Sequence, residues 1–103
     1  MLSLMEGVRR LYPAEDFRRL TYVQSSGEDV VSVDVHGMKC WQAKRFINNI
    51  INLANRPFHL TVIHGYNHGT AILDMVRNHL ENKRIIERTD DPKNQGITYL
   101  AIA

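Results

Sequence analysis

A chain of 103 residues, 44% of them apolar, can build one domain around a small core but not two. Its net charge of +2 is compatible with an anionic partner without demonstrating one. Cys40 is the single cysteine, which excludes an intramolecular disulfide and a thiolate metal cage and agrees with reducing surroundings.

Leu4, Val8 and Leu11 recur at helical spacing, so a short amphipathic helix is expected before Pro13 interrupts it. Glu6, Arg9 and Arg10 break the opening where a signal peptide would be apolar, and no later run approaches the length of a membrane span. The expectation is a cytoplasmic protein without membrane contact. Pro13 followed by Ala14, Glu15 and Asp16 reads as a second helix start, with carboxylates in its first turn. Thr21 to Gln24 is too short to assign, and Ser25-Ser26-Gly27-Glu28 reads as a turn or linker. That places a boundary between an N-terminal arm, residues 1–27, and a compact domain, residues 28–103.

Val30, Val31, Val33 and Val35 then form a strand covered on at least one face, closed by Gly37. Lys39 to Arg56 is the longest helical signal, with Ala43, Phe46, Ile47, Ile50, Ile51 and Ala54 as its apolar stripe, stopped by Asn55 and Pro57. Phe58, Leu60, Val62 and Ile63 predict a second strand, Gly65 to Gly69 a loop, and Ala71 to Lys83 a second helix. Two closing strands, Arg84 to Thr89 and Ile97 to Ile102, are joined by a loop dense in turn formers. The expected architecture is therefore α/β, a two-layer βαβαββ sandwich with a four-stranded mixed sheet and two helices on one face, plus an N-terminal helical arm. Polar residues Ser32, Asp34, His59 and Thr61 alternate with the apolar strand positions, as on a partly solvated second face. The apolar residues of the arm have two destinations, the open sheet face of the same chain or a homodimer with a second copy.

Two segments share one design. Val33-Asp34-Val35-His36-Gly37 and Val62-Ile63-His64-Gly65-Tyr66-Asn67-His68-Gly69 each close a β-branched run with a histidine and a glycine. The separation suits one strand-helix-strand passage, so both ends are expected on the same edge of a parallel pair, where open α/β sheets bind ligands. Asp34, two residues before His36, projects to the same face of an undistorted strand. A carboxylate accepting from one imidazole nitrogen would leave the other as a base for water or an RNA 2′-hydroxyl. In the plainer alternative Asp34 caps the turn or the first helix of the domain and His36 packs at that helix's start. His64 and His68 are spaced like two zinc ligands on a helix, but they lie on a glycine loop without a third ligand, so a dedicated metal site is not expected. His64 or His68 remains a candidate proton donor to a leaving oxygen.

The loop from Gly65 through Tyr66, Asn67, His68 and Gly69 to Thr70 opens a helix, where free amides favour an anion; the alternative is a flexible connection. Tyr66 is either a stacking platform or a lid, and Trp41 either core or platform. Lys39, Lys44 and Arg77, in the N-terminal halves of their helices, are the cations expected to flank the crevice.

The same two segments resemble the small MutS-related, or Smr, domain family. Its first motif, leucine, aspartate, any residue, histidine and glycine, is matched by Val33 to Gly37, and its second, histidine-glycine with a glycine-rich loop, by His64 to Thr70. The likeness extends from about Val30 to Ile102. It implies a fold similar to the C-terminal domain of a bacterial translation initiation factor, with the last strand between the second and third. It also implies binding of DNA or RNA, with endonuclease activity in some members. Residue by residue, it assigns Asp34 and His36 to cleavage and Gly65 to Gly69 to backbone contact. This chain departs from the pattern at Asn67, where many members have glycine; asparagine tolerates a positive φ. A divalent cation such as Mg²⁺ is a possible helper by screening phosphates. Three readings follow: an endonuclease, a non-catalytic RNA-binding or ribosome-associated module, and a protein-interaction domain.

Overall fold

The computed structural model describes residues 2–67 and 69–103. Two N-terminal helices, α1 (Leu2–Leu11) and α2 (Ala14–Phe17), precede strands β1 (Leu20–Ser25) and β2 (Glu28–Asp34). Helix α3 (Cys40–Leu53), strand β3 (Phe58–Ile63), helix α4 (Ala71–Asp74), and strands β4 (Ile85–Asp90) and β5 (Ile97–Ile102) follow. Helix α4 continues as a π-helical segment, Met75–His79.

The sheet has five strands in the order β1-β2-β3-β5-β4, not the expected four. Strands β2 and β3 are parallel and every other neighbouring pair is antiparallel, so the last strand does lie between β3 and β4. The extra strand is the segment too short to assign. Thr21 to Gln24 pairs with β2, and the Ser25–Glu28 cluster, expected as a turn or linker, is the turn of a tight hairpin. Ser26 and Gly27 take φ of 53° and 81°, the left-handed pair whose twist matches that of two antiparallel strands.

Strict alternation positions the core. Val31 and Val33 on β2, Phe58, Leu60 and Val62 on β3, and Leu100 and Ile102 on β5 are buried toward the helices. Their neighbours Val30, Ser32, Thr61 and Tyr99 occupy the opposite, open face. Helix α3 lays Phe46, Ile47, Ile50 and Ile51 onto this surface. Its C-terminal carbonyls are taken by Arg84, whose guanidinium donates to the carbonyls of Ile51 and Ala54, so the helix stops at Leu53 rather than Arg56. The second helix is also shorter than its periodicity suggested. Arg88 donates to the carbonyls of Val76 and Leu80, and Leu80 N–H closes a wide turn on the Met75 carbonyl at 2.7 Å.

Within the arm, β1 joins the sheet and α1 belongs to the helical layer. Leu4 and Val8 are fully buried in the common core, Tyr12 meets Phe46 edge-on at 4.8 Å, and the Asn49 amide donates to the Tyr12 hydroxyl. Burying two aliphatic side chains of this size contributes about 1.5–3 kcal/mol each. The apolar face that a homodimer through the arm would need is thus used within the chain, and that expectation finds no support; nor does α1 cover the open sheet face. Among the described residues, no helix is long and apolar enough to cross a membrane.

Candidate functional site

Because β2 and β3 run parallel, with Asp34 opposite Ile63, their ends leave the sheet side by side. Val35 N–H bonds to the Ile63 carbonyl at 2.9 Å, which carries the pairing one residue past Asp34. A methyl group built on Gly65 would lie 3.4 Å from the His36 Cβ, so the two histidine-glycine corners touch. They line a common cleft of about 600 Å³, together with Met38, Cys40 and Tyr66.

Val35 to Met38 form a tight turn, closed by Met38 N–H to the Val35 carbonyl at 3.2 Å, with Gly37 at φ 81°. A positive φ at the third position is what such a turn demands, and it sets His36 at the outward corner. The His36 ring is bound through Nδ1 to the Asp34 carboxylate, and the same carboxylate oxygen accepts from His36 backbone N–H at 3.1 Å. An ionised carboxylate only accepts, so Nδ1 carries the proton and Nε2 is left as an acceptor. The His36 side chain is 65% exposed, which leaves Nε2 accessible. Arg19 holds this corner from behind, donating to the carbonyls of Asp34 at 3.0 Å and His36 at 3.4 Å. The sequence pattern did not point to Arg19. Its only local signal was Asp16, three residues before it, now 3.5 Å from the guanidinium.

His64 is built differently. It is 4% exposed, its Nδ1 lies 2.8 Å from the Gly65 carbonyl and its Nε2 2.8 Å from the Thr98 hydroxyl. The carbonyl can only accept, so Nδ1 carries the proton; Nε2 then accepts from Thr98, whose oxygen in turn accepts from Arg77 Nε at 3.0 Å. Burial pushes the His64 pKa below its ordinary value, with the Arg77 charge acting in the same direction and the Gly65 carbonyl and Asp90 opposing. The ring is therefore a neutral floor of the cleft with both nitrogens engaged inside the protein.

Arg77, expected to flank the crevice, is half-buried behind His64. It binds Thr98, the Asp90 carboxylate at 2.9 Å and the carbonyls of Gln95 and Ile97 at 3.3 Å, and so pins the β4–β5 loop. Lys39 is exposed at the N-terminal cap of α3 next to the cleft; Lys44 is exposed farther along α3 and lines no part of it. Tyr66, Asn67, Gly69 and Thr70 are exposed on the loop, and His68 lies outside the described residues. Asn67 does not take a positive φ, whereas Gly65 and Gly69 do, at 72° and 115°. Among the described residues no three histidine, cysteine, aspartate or glutamate side chains come together as a metal cage.

No family model matches the chain, and no curated protein matches it. Among solved structures, the Smr domain of Thermus thermophilus MutS2 superposes with a TM-score of 0.58 at 22% identity, over 70% of this chain and 96% of that one. The fold is Smr-like.

Proposed function

We propose that the chain binds nucleic acid in the cleft between the two histidine corners and cleaves a phosphodiester there. The observation that carries this reading is His36, largely exposed, with Nδ1 bound to Asp34, beside a glycine loop that lets a phosphate approach the main chain. His36 Nε2 takes the proton of the attacking oxygen, either a water or the neighbouring 2′-hydroxyl of RNA, as that oxygen bonds to phosphorus and the P–O bond to the leaving oxygen breaks. Asp34 fixes the tautomer and stabilises the imidazolium that forms. Lys39 and the amides of the loop meet the phosphate. No step is assigned to a metal ion.

A second reading, binding without cleavage, is favoured by one observation. His64, which lines the cleft, has both nitrogens committed to Gly65 and Thr98, so it offers no proton to a leaving oxygen. End-labelled single-stranded RNA and DNA incubated with wild type and His36→Ala decide between the two. Products formed by the wild type and reduced roughly 10²–10⁴-fold in the variant support the enzyme. Retarded bands without products in either protein support the binder, and no retardation at low salt overturns both. A 2′,3′-cyclic phosphate end identifies the 2′-hydroxyl as the nucleophile, and a 5′-phosphate with a 3′-hydroxyl on the other fragment identifies water.

A further inference from the structure

A second cleft of about 340 Å³ lies across the Gly37–Met38 turn from His36, and Gly37 and Met38 line both. Its walls come from the arm, through Tyr12 and Arg19, and from the first turns of α3, through Trp41 and Arg45. Trp41 is the chain's only tryptophan and stands 58% exposed, although the core a few residues away is closed around Phe46 and Ile47. A large aromatic left in water beside a cleft offers a flat face for a ligand. Arg45 lies one helical turn beyond it and is exposed; among the described residues, neither Arg45, Lys39 nor Lys44 enters an ion pair. The one acidic residue on the wall, Asp16, faces the Arg19 guanidinium at 3.5 Å, which offsets its charge.

We infer that this cleft is a nucleobase subsite, in which Trp41 stacks on the base next to the phosphodiester held at His36 and Arg45 meets the adjoining phosphate. The inference rests on the proposed function. A strand crossing the Gly37–Met38 ridge enters one cleft as it leaves the other, so consecutive nucleotides are read by different walls. Stacking requires a base freed from its own helix, so the ligand class is single-stranded nucleic acid, and the preference among bases is weak because every base has a π-face.

Because Trp41 is the only tryptophan, its fluorescence reports the subsite directly. The wild-type chain is titrated at low salt with unlabelled 12-mers of oligo(U) and oligo(dT), and binding is followed independently by the anisotropy of labelled copies. The expected result is quenching that saturates along the anisotropy curve, with a duplex 12-mer quenching less. Whether oligo(U) or oligo(dT) binds more tightly separates an RNA from a DNA strand. Trp41→Ala is expected to weaken binding roughly 5- to 150-fold and Trp41→Phe to recover part of it. Since the side chain is exposed, circular dichroism of both variants should match the wild type. An anisotropy change with tryptophan emission unmoved and Trp41→Ala binding unaltered overturns the subsite and leaves the His36 cleft standing. Absence of any anisotropy change in the wild type overturns the proposed function, and the subsite with it.

Discussion

Replacing Thr98 with valine keeps the shape of a fully buried side chain and removes one hydroxyl. In the wild type that hydroxyl donates to His64 Nε2 and accepts from Arg77 Nε. Arg77 keeps the Asp90 carboxylate and the two loop carbonyls, so its loss is small. His64 Nε2 has no second donor and becomes a buried acceptor without a partner, which costs about 1–3 kcal/mol. The added methyl group returns up to about 0.8 kcal/mol, which leaves a net destabilisation of about 0.2–2 kcal/mol where the return is full. In urea the midpoint should fall, by up to about 1–2 M, with an unchanged slope. The pH dependence supplies an independent check. Folding holds His64 below its unfolded pKa of about 6.5, so its contribution to stability is present above that pH and is lost as pH falls toward the folded value. In Thr98→Val the neutral ring has lost a donor, its pKa rises, and the loss of stability below about pH 6.5 becomes shallower. Nitrogen chemical shifts of the wild-type ring should report the Nδ1–H tautomer. An unchanged urea midpoint, or the Nε2–H tautomer, refutes the chain from Gly65 through His64 and Thr98 to Arg77.

Two further predictions concern the arm and the far edge of β2. Leu4→Ala should cost about 2–5 kcal/mol, since Leu4 is fully buried against α3, whereas Leu11→Ala, 64% exposed on the same helix, should stay within about 0.5 kcal/mol. Equal effects in chemical denaturation would mean that α1 is not part of the core. The buried Asp29 accepts from the Tyr22 hydroxyl at 2.5 Å and from Arg56 at 2.6 Å, and these bonds, Tyr22 first, hold its carboxyl below the usual carboxylate range. Its contribution is therefore complete above the unfolded pKa of about 3.9 and disappears as pH falls through the lower folded value. Asp29→Asn should be less stable than wild type at pH 6, with the gap narrowing steadily in acid; a constant gap from pH 6 to pH 2 would show that the carboxylate is not what the site holds.

What the sequence discloses depends on how many neighbours an element has. Strands β2 and β3 and helix α3 read directly, because each buries a continuous face and its periodicity survives. Strand β1 does not, since only Leu20 of its six residues is buried and an edge strand of this kind leaves no alternation to detect. The π-helical segment after α4 is equally silent. Ile72, Val76 and Leu80 satisfy the spacing of an ordinary helix, and the widening follows from Arg88, eight residues beyond Leu80, taking the Leu80 carbonyl. Arg84 and Arg19 act the same way, each ending or bracing an element through contacts distant in sequence.

The two histidines show the limit most sharply, because the local patterns around them are nearly identical and the outcomes are opposite. Both close a strand, both precede a glycine of positive φ, and the two strands are neighbours in the sheet. The difference lies in what flanks each strand end. Beyond β2 the outer neighbour is the beginning of β1, so Arg19 grips the backbone of the corner while the His36 side chain stays largely exposed. Beyond β3 the neighbour is the beginning of β5, and Gly96 and Thr98 close over His64, the first through the Gly96 carbonyl on His64 N–H at 2.9 Å and the second through its hydroxyl. Strand order, which lies outside any local window, thus leaves one imidazole in water with a carboxylate behind it and seals the other as a neutral support under the adjoining loop. For the same reason His36→Ala should alter chemistry at the cleft without unfolding the chain, while a change at His64 should register first as lost stability, and the cleft fails only as its floor gives way.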